Sequence, residues 1–415
     1  MAARIENLRP CRRQNTVSGC LPESKRLESC PHSNQKKKVL CMPRLPQEIV
    51  FNILLCLPAD ILYNVMRYVC QEWYNVIRDP VFANAHVLKS DRGSLIWTGP
   101  NRLGVPYVEL MKPRDLIEMT RVRFPDFGGM LVSSCNGLVC YTTVKRSYYH
   151  YIANPVTKEI VRIPTASEVP WISCLGYTSS SKEYKLVEFH GGHERLDCGI
   201  LTLGVDKEWR FLDATNQTLK IKRFLIEVLV GSQVATDDGF VHLPYYSFNL
   251  TLDLESETFF LCSVPNCSNT EREDRKYFGT GRSLCFMDRK GKFSWELWLL
   301  KNVPTGDWTK LATIDLGSQE QWLRQSLCPQ GFRLGPIGWL KDGEIAIFHV
   351  NYDPSFGNLT LFHDAEAQPL RNCIAYNVKT GAMNSYKLDE DDNFYSGGSY
   401  VPHVKSLVSL EFATN

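Results

Sequence analysis

The chain has 415 residues, 22% of them charged and 11% aromatic, with a formal net charge of +2. It is long enough for one large domain plus a small one, and its composition is ordinary globular. No stretch approaches the roughly 20 apolar residues that span a bilayer, and no charge pattern points to nucleic acid, so neither membrane nor nucleic acid is expected as a partner.

Fifteen cysteines invite a disulfide framework. The number is odd, no Cys-x-x-Cys pair occurs, and the first residues lack the apolar core of a signal peptide. A reducing compartment, the nucleus and/or cytoplasm, is expected, with most cysteines buried as small hydrophobes. Sequons such as Asn249-Leu-Thr251 and Asn266-Cys-Ser268 then read as chance matches.

Residues 1–41 contain no Phe, Tyr or Trp and hold nine Lys and Arg against three Glu. Such a segment buries too little apolar surface to offset the entropy of ordering and reads as a disordered basic tail. Lys36-Lys37-Lys38 is a short solvated cluster that falls below a strong nuclear signal. Cys11, Cys20, Cys30 and Cys41 lack the ligand spacing of a zinc knuckle, and no metal or other cofactor is expected.

The character changes at residue 42. In residues 42–88, Pro46 suits a helix start, and Ile49, Ile53 and Leu54 form one apolar stripe. Leu57-Pro58 restarts the chain, and Ile61, Leu62, Val65 and Met66 form a second stripe. Val69, Cys70, Trp73 and Ile77 supply a third, which Asp79-Pro80 stops. Three short helices cannot make much of a core alone. Periodicity leaves two readings open: a module that leans on a partner, or a hairpin that packs on the following domain.

From about residue 92 to 411 the period becomes that of strands. Short apolar runs alternate with turn signals at Asn136-Gly137, Asp238-Gly239, Lys290-Gly291, Asp342-Gly343 and Thr380-Gly381. A weak repeat, IANPVTKEIVRIP, LTLGVDKEWRFL and LTLDLESETFFLCSVP, starts at residues 152, 201 and 250, and a fourth copy, IAYNVKTGAMNSYKL, follows at 374. Each copy reads as strand, polar turn and outer strand, and a spacing of about 49 residues fits one four-stranded propeller blade. The expected fold is α+β multidomain: a small three-helix module, then an all-β propeller-like domain of six blades over residues 92–411. Blades are expected near 130–164, 171–213, 222–265, 281–316 and 334–388, and a last sheet pairs 401–410 with 94–97 and 105–111.

The helical segment resembles the F-box through Leu45-Pro46, Glu48-Ile49, Ile53-Leu54, Leu57-Pro58, Leu62, Arg67, Val69-Cys70, Trp73, Ile77, Asp79-Pro80, Phe82 and His86. The following region resembles the plant F-box-associated interaction domain through SCNGLVCY (134–141), NPVTKEIVRIP (154–164), GYTSSSKEYKLVEF (176–189), ILTLGVDKEWR (200–210) and IAYNVKTG. The resemblance implies a substrate-recognition subunit of an SCF-type cullin-RING ubiquitin ligase. The F-box would bind a Skp-type adaptor, and through it the cullin and RING subunits, while the β domain captures an unidentified protein substrate. The implied adaptor-binding residues are Leu45, Pro46, Ile49, Ile53, Leu54, Leu57, Pro58, Leu62, Val69, Cys70 and Trp73. This chain departs from the usual pattern at Asp60 to Met66 (DILYNVM), an unusually apolar tract where many relatives carry Ser, Lys or Arg. Kelch repeats are disfavoured, because only Gly191-Gly192 is followed by a Trp in the right context.

No catalytic constellation is legible, and the chain is expected to be a non-catalytic subunit. No Gly-x-Ser-x-Gly elbow, Walker loop or His-Glu-x-x-His occurs. His190 and His193 flank a Gly-Gly turn without a third metal ligand, and Asp389 to Asp392 read as a solvated loop. The rival function is a propeller scaffold, or a glycan- or small-molecule-binding protein, acting outside a ubiquitin ligase.

Overall fold

The structure, a computed structural model, describes residues 45–100, 106–112, 118–123, 129–143, 149–167, 172–191, 196–212, 234–235, 239–244, 248–265, 275–279, 283–326, 332–340, 344–352, 372–387 and 400–414. The expected basic tail, His193 and the Asp389–Asp392 run lie outside the described residues.

Four short helices come first: α1 (Gln47–Leu54), α2 (Ala59–Asn64), α3 (Gln71–Arg78) and α4 (Pro80–Lys89), with a 3-10 turn at Met66–Tyr68. The expectation of three helices is corrected here. Asp79-Pro80 ends α3 but also starts α4, because the Asp79 carboxylate accepts from Val81 N at 2.7 Å and Pro80 needs no amide partner in a first turn. The module's own core is Val50, Leu54, Ala59, Leu62, Val76, Ile77, Phe82 and Ala83. His86 closes it, donating from Nε2 to Leu57 O at 2.8 Å. Burial pushes the His86 pKa below its ordinary value, so the ring is held neutral.

The strands then form six four-stranded antiparallel sheets. Blade 1 joins β1 (Gly93–Pro100), β2 (Pro106–Lys112) and β3 (Glu118–Arg123) to the last strand of the chain, β24 (Tyr400–His403). Blade 2 holds β4 (Gly129–Cys135), β5 (Leu138–Thr143), β6 (Tyr149–Ala153) and β7 (Ile160–Pro164). Blade 3 holds β8 (Ile172–Thr178), β9 (Glu183–Gly191), β10 (Leu196–Thr202) and β11 (Arg210–Leu212). Blade 4 holds β12 (Val234–Ala235), β13 (Phe240–Pro244), β14 (Phe248–Asp253) and β15 (Thr258–Ser263). Blade 5 holds β16 (Arg275–Gly279), β17 (Leu284–Gly291), β18 (Ser294–Asn302) and β19 (Asp307–Asp315). Blade 6 holds β20 (Phe332–Leu340), β21 (Ile345–Tyr352), β22 (Asn372–Asn377) and β23 (Met383–Lys387).

First strands of successive blades touch: β4 with β8, β8 with β12, β12 with β16, and β16 with β20. β20 touches β24, and β24 touches β4, which closes the ring. The C-terminal strand therefore completes the blade that the first strands begin, as anticipated, but the expected strand over 401–410 is shorter: Tyr400–His403 pairs with Gly93–Ile96, and residues 404–410 leave the sheet. Closure packs each blade face against a neighbour and leaves only short edge strands.

The burial pattern explains why the runs read as they do. β5 and β8 lie between neighbouring blades and are buried almost throughout, so they appear as continuous apolar runs. The outer strands β7 and β15 alternate buried and exposed residues along their length. The core is a set of slabs between blades, with Phe189 and Val241 in the slab joining blades 3 and 4, and Trp295 and Phe348 in that joining blades 5 and 6. Seven of the nine described cysteines are buried and form no disulfide, among them Cys174 and Cys285, whose thiols burial pushes up to about 12. The Asn249 sequon is fully buried at both Asn249 and Thr251, so a folded chain offers no acceptor there.

The repeat has a local cause. Asn154 Oδ1 accepts from Val156 N (2.8 Å) and Thr157 N (3.3 Å), and Asn377 Oδ1 accepts from Lys379 N (2.9 Å) and Thr380 N (3.0 Å). Asp253 repeats the arrangement with Glu255 and Ser256. A side chain that mimics a backbone carbonyl thus sets the turn between the third and fourth strands. A tryptophan device recurs as well. Trp209 Nε1 donates to Pro164 O at 2.9 Å, and Trp308 Nε1 donates to Ser263 O at 2.7 Å, each pinning the end of the preceding blade's outer strand.

Candidate functional site

The helical module presents an apolar face that it does not cover. Of thirteen exposed large hydrophobic side chains among the described residues, seven fall between residues 45 and 69: Leu45, Ile49, Ile53, Ile61, Val65, Tyr68 and Val69. On α1 the cause is helical geometry. Val50 and Leu54 turn into the core, while Ile49 and Ile53, one residue earlier in each case, sit about 100° round the helix and face out. An exposed cluster of this kind on an otherwise ordinary surface marks an interaction site.

The residues that the sequence nominated for adaptor binding divide accordingly. Leu45, Pro46, Ile49, Ile53, Pro58, Val69 and Cys70 are exposed. Leu57 and Trp73 are half-buried against the module core. Leu54 and Leu62 are corrected: both are completely buried and hold the face in shape from behind. The place of Cys70 on a helix stripe is also corrected: it stands exposed at the N-cap position of α3, makes no side-chain capping hydrogen bond there, and does not lie on an apolar helix face. Ile61, Val65 and Tyr68 are exposed as well without having been nominated; the apolar character of Ile61 and Val65 was visible in DILYNVM, but not their orientation, and Tyr68 lies beyond that tract.

The module leans on the propeller through α2 and α3. Tyr63 Oη donates to Thr157 O at 2.9 Å, Asp60 pairs with Lys405, and Arg78 Nη2 donates to Glu411 Oε1 at 2.7 Å. Val156 and Leu407 of the propeller complete the module core. A cleft of about 770 Å³ opens at this junction, lined by Tyr63, Arg67, Tyr74 and Arg78 from the module and by Lys182 and Tyr184 from blade 3. The Arg67 guanidinium lies 3.6 Å over the Tyr63 ring, which fixes both side chains on the cleft wall.

Within the propeller, the titratable groups brought together tie blades to each other. His150 Nε2 and Glu188 Oε2 lie 3.0 Å apart, both fully buried, and join blade 2 to blade 3. Glu188 also accepts from Ser167 Oγ (2.7 Å), Ser167 N (2.8 Å) and Ala166 N (2.9 Å). Burial alone would raise this carboxyl, but the hydrogen bonds from His150, Ser167 and Ala166 outweigh it and hold the pKa below its ordinary value. Ser167 and His150 both bond the carboxylate and not each other, so the trio lacks the base-to-nucleophile contact of a hydrolase triad. His190 stands beside it on β9, with Nδ1 3.9 Å from Glu188 Oε1. Glu257 plays the same part between blades 3 and 4, accepting from Arg210 Nη1 (2.6 Å) and Lys185 Nζ (2.9 Å). Arg210, helped by Lys185 and against partial burial, brings its pKa down to about 2.

The comparisons agree with this architecture. The F-box associated beta propeller domain family matches residues 111–395, well over half of the chain, and the F-box domain matches residues 42–84. F-box protein At3g07870 of Arabidopsis thaliana is 23% identical over an alignment covering 77% of this chain and 88% of its own length. F-box protein At5g49610 of the same plant is 25% identical, covering 65% of this chain and 79% of its own. An F-box joined to such a propeller is the architecture of SCF substrate receptors in general. The chain belongs to the F-box associated β-propeller family and carries an F-box ahead of its propeller.

Proposed function

We propose that this protein is the substrate-recognition subunit of an SCF-type cullin-RING ubiquitin ligase. The exposed F-box face formed by Leu45, Pro46, Ile49, Ile53 and Val69 binds a Skp-type adaptor, which brings the cullin and RING subunits. The propeller holds a protein substrate. The observation that carries the reading is the concentration of seven exposed large hydrophobics in the F-box, on a module whose partner-free folding needs none of them outward. The nucleus and/or cytoplasm is the proposed site of action, in keeping with described cysteines that are mostly buried and form no disulfide.

F-box receptors are generally non-catalytic, and transfer here is proposed to proceed by proximity alone. Holding an acceptor lysine near a charged conjugating enzyme replaces a bimolecular encounter with an effectively intramolecular one. Co-purification with a recombinant plant Skp adaptor tests the first step: Leu45→Ala with Pro46→Ala should abolish it while the propeller stays folded. Undiminished binding would refute the assignment. Cys56 and Cys70 are the exposed cysteines among the described residues, so a thioester route is checked directly. A DTT-sensitive ubiquitin adduct on this chain, formed in step with substrate modification, would overturn the proximity mechanism.

A further inference from the structure

The four motifs that mark blades 2 and 3, far apart in sequence, converge on one segment, residues 404–414. Gly137, in SCNGL, adopts φ +84°, and a Cβ there would stand 2.2 Å from Ser406 Oγ. Gly204, in LTLGV, adopts φ +77°, and a Cβ there would stand 2.0 Å from Phe412 O. Both positions need glycine twice over, for the left-handed backbone and for the close approach of the tail. Asn154, in NPVTKE, donates from Nδ2 to Ser406 O (3.2 Å) and Val408 O (2.7 Å), and Glu159 of the same motif accepts from Leu410 N. Tyr184, in KEYKLVEF, stacks on Phe412 with ring centroids 5.3 Å apart and an interplanar angle of 11°.

The same segment touches the F-box. Leu407 lies in the module core, Lys405 pairs with Asp60, and Glu411 accepts from Arg78. The turn at 154–159 reaches the F-box directly through Val156 and through Thr157 O, which accepts from Tyr63. Asp60 and Tyr63 belong to the α2 tract that departs from the usual F-box pattern. Its departure has a structural use here: one side of α2 packs inward through Ala59 and Leu62, and Asp60 and Tyr63 face the propeller.

We infer that residues 404–414 form a bracket, clamped between the blade 2 and blade 3 motifs and α2, that locks the F-box to the propeller as one cooperative body. The exposed adaptor face and the ring are then held at a fixed distance and angle. Under the receptor reading, on which only this consequence rests, the bracket sets which substrate lysines the conjugating enzyme reaches. Without it, the F-box would lose Leu407 from its core and its ties to Lys405 and Glu411, and the helices would open independently of the blades.

Hydrogen–deuterium exchange on the full chain tests the bracket without any adaptor. Asn154→Asp keeps the Oδ1 acceptor that sets the turn but removes both amide donors to the tail. Asn377→Asp makes the same change in a turn that the tail does not visit. Amides of α1 to α4 should exchange about tenfold faster in Asn154→Asp, with calorimetry resolving a separate F-box transition, and at the wild-type rate in Asn377→Asp. Should Asn154→Asp not fold, Asp60→Ala with Tyr63→Phe, both at the module surface, carries the test with the same expected acceleration. Unchanged F-box exchange in the folded variants, within twofold, overturns the bracket. Adaptor co-purification distinguishes the two claims: bracket variants keep it, whereas Leu45→Ala with Pro46→Ala removes it and leaves exchange of the bracket amides unaltered.

Discussion

Ile53 and Leu54 are neighbours on α1, yet they should fail in different assays. Leu54 is completely buried, so Leu54→Ala leaves a cavity and should cost about 2–5 kcal/mol of stability. Ile49 and Ile53 are 45% and 44% exposed, so nearly half of each side chain remains for a partner to cover. Full burial of an aliphatic side chain is worth about 1.5–3 kcal/mol, which leaves about 1 kcal/mol each. The double change Ile49→Ala with Ile53→Ala should therefore weaken adaptor binding by about 2 kcal/mol, or roughly thirtyfold in Kd. Biolayer interferometry against a recombinant Skp adaptor measures the affinity, and a thermal melt of the same preparations measures the stability. The double variant should melt within a few degrees of wild type, and Leu54→Ala should melt well below it. Affinity within threefold of wild type in the folded double variant would refute the assignment of this face. A Leu54→Ala chain that keeps its melting temperature would refute the inward orientation of that residue.

Acid should destabilise the propeller through two buried histidines. Burial pulls the pKa of His242 down to about 3, and burial with Lys405 does the same for His403. The unfolded chain then binds protons below about pH 6.5 that the native state refuses, so stability falls from pH 6.5 toward pH 3. Urea melts across that range should lose several kcal/mol, and His242→Asn should flatten the slope; a flat wild-type profile would contradict it. Glu257→Gln removes the anion shared by Lys185 and Arg210, and at pH 7 should cost about 2 kcal/mol in chemical denaturation. Because the Glu257 pKa is depressed to about 2, its contribution is full above about pH 4.5 and lost only as pH falls through 2. A change under 0.5 kcal/mol would show that the link between blades 3 and 4 is dispensable. Trp308→Phe, which loses the hydrogen bond to Ser263 O, should lower stability by about 1 kcal/mol, and a stability equal to wild type would rule out the pin.

Much of this fold is written in local chemistry. The period-two runs, the Asn136-Gly137 turn with both φ angles positive, and the Asx turns at Asn154, Asp253 and Asn377 involve residues within about five positions of each other. They are legible because a side chain that satisfies its own backbone needs no distant partner. Six blades followed from counting such units, and the start of an F-box followed from a register of apolar residues and prolines. Orientation was not legible in the same way. Periodicity groups residues onto a face but does not say which face meets protein and which meets solvent. Leu54 and Ile53 are equally apolar, and only packing sends one inward. Cys70 likewise read as part of an apolar helix stripe, and it lies exposed at the N-cap position of α3.

The sequence alone thus determined the strand-rich blades, their order and the repeating turn, while the fourth helix, α4, went unread. The His150–Glu188 pair and the seating of residues 404–414 on Gly137, Asn154, Tyr184 and Gly204 were decided by the tertiary structure. Asn154 and Val408 are 254 residues apart. Contacts across such a separation carry a large loop-closure entropy that no local interaction offsets. In the fold, the intervening blades bring both ends of the propeller to the same place.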